Sequence, residues 1–148
     1  MISLTGEYAL RAMIFLARHV DEWPISAARM AEEADIPRKY LSAILADLVR
    51  AGLLEGTRGK SGGFRMTRSA TQIRLAEIIQ PFEPVSTNRR KCPFGNVICS
   101  DADPCGAHDS WKAVKDAMDS FLAGTTLQTV ARKSTKRCDR KDRSRSVR

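Results

Sequence analysis

Apolar residues recur with helical spacing along most of the chain. Between Gly6 and Val20, Tyr8, Ala9, Leu10, Ala12, Met13, Ile14, Phe15, Leu16 and Ala17 are apolar, and Arg11 and Arg18 mark the remaining face. That pattern predicts a mostly buried first helix. Asp21-Glu22-Trp23-Pro24 breaks it, and Ser26 is placed to cap a short second helix containing Ala27, Ala28, Met30 and Ala31. Asp35-Ile36 predict a tight turn, and Pro37 supplies a fixed φ suited to a first helical turn. The third helix runs to about Ala51, with Leu41, Ile44, Leu45 and Leu48 at i, i+3, i+4 and i+7. Gly52 suits the left-handed position past a helix end, and Leu53-Leu54 and Phe64-Arg65-Met66 read as short strands around a glycine-rich run. Farther on, Trp111, Val114, Met118, Phe121 and Leu122 form a stripe over a polar face of Lys112, Lys115, Asp116 and Asp119. So long and isolated a stripe predicts a dimerisation helix, ended by Gly124, with Thr125 and Gln128 spaced as a capping box for one more short helix.

A short helix, a tight turn and a longer helix opening with Arg38-Lys39-Tyr40 form a helix-turn-helix pattern. The hairpin that follows, Gly56-Thr57-Arg58-Gly59-Lys60-Ser61-Gly62-Gly63, reads as a wing. Its glycines let the backbone approach a sugar-phosphate surface, and a slim Arg can enter a minor groove whose negative potential attracts it. The expected fold is therefore mainly α with a small β-hairpin wing. A winged helix-turn-helix DNA-binding domain covers residues 1–80, a cysteine-rich loop 81–108, the dimerisation helix and a short C-terminal helix 109–131, and a basic tail 132–148. Gly59-Lys60-Ser61 is not a nucleotide loop, because the first glycine of such a loop would have to stand where Leu54 does and no helix follows the serine.

Charge sharpens the partner. The formal net charge of +8 is mostly a property of the tail, which holds nine Lys/Arg against two Asp. Residues 1–37 carry three basic and six acidic side chains, residues 38–74 eight against two, and residues 75–131 five against seven. The locally basic segment is the one that contains the recognition helix and the wing, as neutralising double-stranded DNA requires. Arg38, Lys39, Arg58 and Lys60 are the candidate DNA contacts, while Tyr40 can serve either a phosphate or the apolar stripe beside it. The tail has almost no apolar residue, so it should be disordered and add only non-specific phosphate attraction.

A chain of 148 residues, 43% hydrophobic, is long enough for one ordinary core. No run of about 18 apolar residues is present, so no membrane partner is expected. The start carries Glu7 and lacks a basic flank, which points away from a signal peptide and toward the cytoplasm. In that compartment thiols stay reduced, and a cysteine cluster reads first as metal-binding or redox-active. Cys92, Cys99, Cys105 and His108 fall within 17 residues, with two Pro and two Gly among them, and no cysteine precedes Cys92. Three thiolates with an imidazole suit an iron-sulfur cluster or zinc. Zinc sites bring their ligands in close knuckles, whereas the gaps here are six and five residues, which favours the larger cluster. A structural zinc site, bare thiol or disulfide sensing, and a metal-free winged-helix adaptor remain the alternatives. Cys138, in the polar tail, reads as an incidental thiol. Two histidines and no nucleophile-base constellation argue against an enzyme.

Leu4-Thr5 followed by Tyr8-Ala9-Leu10-Arg11, Tyr40-Leu41, Ala51-Gly52-Leu53, the wing Arg58-Gly59-Lys60-Ser61-Gly62-Gly63-Phe64 and the three-cysteine loop together carry a resemblance. Over residues 1–131 the chain is similar to the winged-helix iron-sulfur transcriptional regulators represented by IscR, NsrR and RirA. The resemblance implies a homodimer, a palindromic operator and DNA affinity set by cluster status, with repression the expected outcome and iron, redox or nitric oxide the signal. It matches Arg58 to the wing arginine and Cys92, Cys99 and Cys105 to the cluster thiols. The base-reading positions fall at Ser42 and Ala43, where the family's cluster-assembly regulator has Glu and Gln. A small Ala can pack on a thymine methyl but makes no bidentate base contact, so that operator sequence does not transfer. For the fourth ligand the resemblance offers His108, which suits [2Fe-2S] and is favoured, and Glu7, which suits [4Fe-4S] and could come from the partner chain.

Overall fold

The first helix begins where a serine can cap it. Ser3 Oγ accepts from the Gly6 N–H at 3.1 Å, and the Ser3 N–H donates to Glu83 Oε1 at 2.9 Å. Helix α1 (Leu4–Arg18) therefore starts two residues ahead of the expected Gly6. In the computed structural model, which describes residues 2–83 and 92–132, α1 buries Ala9, Ala12, Met13, Phe15 and Leu16 as one side of the core. A 3-10 turn at Val20–Glu22 and a cis Trp23–Pro24 bond lead out of it.

Ser26 caps α2 (Ala27–Glu33) as expected, its hydroxyl accepting from the Arg29 N–H at 3.3 Å. Asp35 takes a left-handed φ of 55° in the turn. Helix α3 (Arg38–Arg50) buries Leu41, Ile44, Leu45 and Leu48. Burying side chains of this size stabilises a fold by about 1.5–3 kcal/mol each. Pro37 stands just outside α3 with an extended ψ of 127°, one residue earlier than the expected first-turn position. Gly52, at φ 72°, turns the chain into the hairpin.

Strands β1 (Leu54–Thr57) and β2 (Gly63–Met66) are antiparallel, Leu54 facing Met66 and Thr57 facing Gly63, so β1 takes in part of the expected glycine-rich turn. On its other edge β2 pairs with Ile25: the Ile25 N–H donates to Phe64 O at 3.1 Å and the Phe64 N–H to Ile25 O at 2.8 Å. The wing is thereby sewn to the segment before α2. Helix, turn, helix and hairpin form a winged helix.

Helix α4 (Leu75–Ile79) was not apparent in the apolar pattern. It buries Leu75, Ile78 and Ile79 against α1, and Glu77 Oε1 accepts from the Arg74 N–H at 2.8 Å at its start. Helix α5 (His108–Gly124) takes in the long stripe, with Leu122 buried and Val114 and Phe121 exposed. The last helix, α6 (Leu127–Ala131), is capped by Thr126, whose Oγ1 accepts from the Thr129 N–H at 3.3 Å. Thr125, the expected cap, instead presents its carbonyl to the Leu75 N–H at 3.0 Å. Arg18 Nε reaches Ala131 O at 2.9 Å and fastens α6 to the end of α1. The basic tail beyond Arg132, Cys138 with it, and residues 84–91 of the expected loop lie outside the described residues. Among the described residues no helix is long and apolar enough to cross a membrane.

Candidate DNA interface and cysteine loop

The recognition helix opens without a side-chain cap, so its first turn presents backbone N–H groups and the positive end of its dipole, a favourable setting for phosphate. Arg38, Lys39, Tyr40, Ser42 and Ala43 are all exposed there. Tyr40 packs and is also accessible: its ring stacks on Tyr8 with centroids 6.0 Å apart, and 43% of the residue remains exposed. Lys39 Nζ lies 4.7 Å from the Tyr40 ring centroid. In the hairpin, Arg58 and Lys60 are exposed at the tip, and below them Arg65 Nε pairs across the strands with Glu55 at 2.7 Å.

The cysteine loop folds its donors into two pairs. Cys92 Sγ and Cys105 Sγ lie 3.3 Å apart, and Cys99 Sγ lies 3.6 Å from His108 Nδ1. All three cysteines are free thiols. Burial raises the Cys92 pKa, but N–H groups from Phe94, Asn96 and Gly95 and the Cys105 thiol outweigh that, leaving it below the ordinary thiol value. Cys105 is pushed up by sharing a hydrogen bond with Cys92. Of the two, Cys92 is the more readily deprotonated.

His108 is the first residue of α5 and is 6% exposed. Its Nε2 lies 2.9 Å from Asp101 Oδ1, and Lys112 Nζ binds both oxygens of the same carboxylate at 2.7 and 3.0 Å. Lys112, and then His108, holds the Asp101 carboxyl below its usual range. A carboxylate on one ring nitrogen orients the other toward a prospective metal, as in many metal-histidine sites. Here the free nitrogen, Nδ1, is the one facing Cys99. Among the described residues no three His, Cys, Asp or Glu side chains form a preformed metal site. The donor set itself, soft sulfur with an oriented imidazole in one loop, fits an iron-sulfur cluster or zinc.

Glu7 sits elsewhere. On the first turn of α1 it pairs with Arg11 Nη2 at 2.6 Å, and among the described residues no contact joins it to the loop. Two participants escaped the sequence reading. Asp101 lies seven residues before His108 in an irregular segment, where no periodicity marks it. The Tyr8–Tyr40 stack joins residues 32 positions apart, which a pattern along one strand of sequence does not register.

The family model for Rrf2, described as an iron-dependent transcriptional regulator, matches residues 2–133. The chain belongs to the Rrf2 family. Like its relatives, this Rrf2 protein is a transcriptional regulator and not an enzyme, and the winged helix is its DNA-binding element. The HTH-type transcriptional regulator IscR of Xenorhabdus nematophila is 31% identical over 127 residues, covering 86% of this chain and 76% of that one. Among solved structures, IscR of T. potens matches with a TM-score of 0.69 at 27% identity, covering 92% of this chain and 93% of that one. CymR, the global cysteine regulator of B. subtilis, matches with a TM-score of 0.72 at 28% identity, covering 88% and 95%. The Rrf2 fold is thus shared by a protein named for cysteine regulation and by proteins named IscR.

Proposed function

We propose that this Rrf2 protein is a cluster-dependent repressor that binds a palindromic operator as a homodimer. In this reading Cys92, Cys99, Cys105 and His108 hold a [2Fe-2S] cluster, and Glu7 of a partner chain is the competing fourth ligand that would accompany [4Fe-4S]. The supporting observation is the oriented His108: its Nε2 is engaged by Asp101 and its Nδ1 faces a thiol. Bound there, the cluster would supply a centre reactive toward oxidants, nitric oxide and iron loss. The chain's own part is to hold the thiols ready on a loop that runs directly into α5, whose exposed Val114 and Phe121 offer an apolar face to a second copy. A change in how the loop is held alters how two such helices meet, and with it the spacing of two recognition helices on DNA, to which half-site binding is geometrically sensitive.

Protein purified without oxygen is expected to show visible absorbance with iron and acid-labile sulfide in equal amounts. Its affinity for a duplex selected from a randomised library should change when the iron is chelated. A colourless preparation carrying zinc sinks the cluster reading. A second reading draws on the 3.3 Å approach of Cys92 and Cys105. A peroxide could take two electrons and two protons from the pair to form a disulfide, and a colourless chain that loses two thiols on oxidation with a matching change in DNA affinity would favour it.

The wing makes a separate prediction. Arg58→Ala should weaken binding to the selected duplex about tenfold and flatten the salt dependence by about one counterion, while iron content stays at the parent level. Equal affinity across a salt titration would remove Arg58 from the interface.

A further inference from the structure

A continuous series of contacts runs from the first turn of α1 to the tip of the recognition helix. Arg11 binds Glu7 at 2.6 Å and places its guanidinium carbon 5.8 Å from the Tyr8 ring centroid. Tyr8 stacks on Tyr40 with an interplanar angle of 23°, and Lys39 Nζ lies 4.7 Å from the Tyr40 ring. Arg11 Nη1 also donates to Asp35 O at 3.3 Å, in the left-handed turn just ahead of α3. Each ring therefore meets the other ring and also has a cation near it.

An exposed tyrosine and lysine at a helix start ordinarily sample several rotamers, and ordering them on DNA costs conformational entropy. A stacked partner ring and a cation-π contact restrict both side chains in the free protein. We infer that Tyr8, a residue outside the recognition helix, is a positioning residue for DNA recognition: its ring holds Tyr40, and through Tyr40 also Lys39, in the arrangement that meets the phosphate backbone. The inference rests on the reading of Tyr40 and Lys39 as DNA contacts. Tyr8 also packs against the core, so the test separates ring stacking from core filling.

The full chain is compared with its Tyr8→Phe, Tyr8→Leu, Tyr40→Ala and doubly substituted Tyr8→Leu/Tyr40→Ala forms. Binding to the selected duplex is measured at fixed salt, well below each thermal midpoint. Tyr8→Phe should bind within about twofold of the parent, because the ring remains, and Tyr8→Leu about fivefold more weakly. In the Tyr40→Ala background, Tyr8→Leu should add less than about twofold, since the two act as one unit. Tyr8→Met stands in if Tyr8→Leu does not fold. Parent-like binding by the non-aromatic variant overturns the inference, and so does an undiminished loss in the Tyr40→Ala background, which marks a role in the core alone. If Tyr40→Ala itself binds like the parent, the interface reading falls and takes the inference with it. That outcome is distinct from a weakened Tyr40→Ala beside an unaffected Tyr8→Leu.

Discussion

Cys99→Ala protein purified without oxygen is expected to be colourless, where the proposed cluster would colour the parent chain. The loop groups its donors as Cys92 with Cys105 and Cys99 with His108. Removing the Cys99 thiol leaves His108 without its sulfur partner, and the proposed cluster would keep only two thiolates and an imidazole, one ligand short of its set. Iron and sulfide should fall to background. Affinity for the selected duplex should settle at the value the parent reaches after chelation, because the variant is locked in the cluster-free form. Cys138→Ala is the matched control and should retain full absorbance. An unchanged spectrum for Cys99→Ala would exclude this residue as a ligand, and equal loss in both variants would point to thiol damage rather than ligation.

The second large effect concerns Gly63. A Cβ built there would lie 2.5 Å from both the carbonyl carbon and the oxygen of Ile25 and 2.9 Å from its nitrogen. These are backbone atoms, so no rotamer change relieves the contact, and β2 must draw away from Ile25. The two hydrogen bonds at 3.1 and 2.8 Å are then lost, at roughly 1 kcal/mol each, with overpacking adding about 1–3 kcal/mol. Gly63→Ala should cost about 3–5 kcal/mol against a typical total of about 5–15 kcal/mol, lowering the urea midpoint with little change in slope. Because the wing is the part displaced, DNA affinity should drop while cluster content persists in the folded fraction. Gly52→Ala provides the contrast. A Cβ built on Gly52 would meet nothing within 4 Å, and only its φ of 72° is penalised, so about 1 kcal/mol is expected there. Equal midpoints for the two variants would refute the steric account.

Much of this architecture is legible along the chain, and the reason is length. Helices α1 and α3 run over 15 and 13 residues, enough turns for their apolar stripes to stand out. The five residues of α4 form little more than one turn, too few for a period, and its stability comes from packing against α1 rather than from its own pattern. Thr125 and Thr126 illustrate a different limit. Both are threonines ahead of the same short helix, and the choice between them is made by Leu75, which binds the Thr125 carbonyl from across the fold. The cysteine loop announced its donors because Cys and His are chemically conspicuous. Asp101 did not, because an aspartate in a loop looks like any solvated charge until His108 and Lys112 are brought to it.

The Ser3–Glu83 hydrogen bond has a bearing on how the loop behaves once it is released. It fastens the chain to the foot of α1 just before residues 84–91, and beyond Cys105 the chain enters α5, itself tied to the core by Leu122. From Glu83, Cys92 can travel no more than about 30 Å even if the connecting chain is fully extended. A segment tethered at both ends over such a distance keeps its reactive groups at an effective concentration on the order of millimolar. If the loop holds the proposed cluster, its loss would then be a local and repeatable event: the thiols would stay gathered, and refilling the loop would not require them to find one another again.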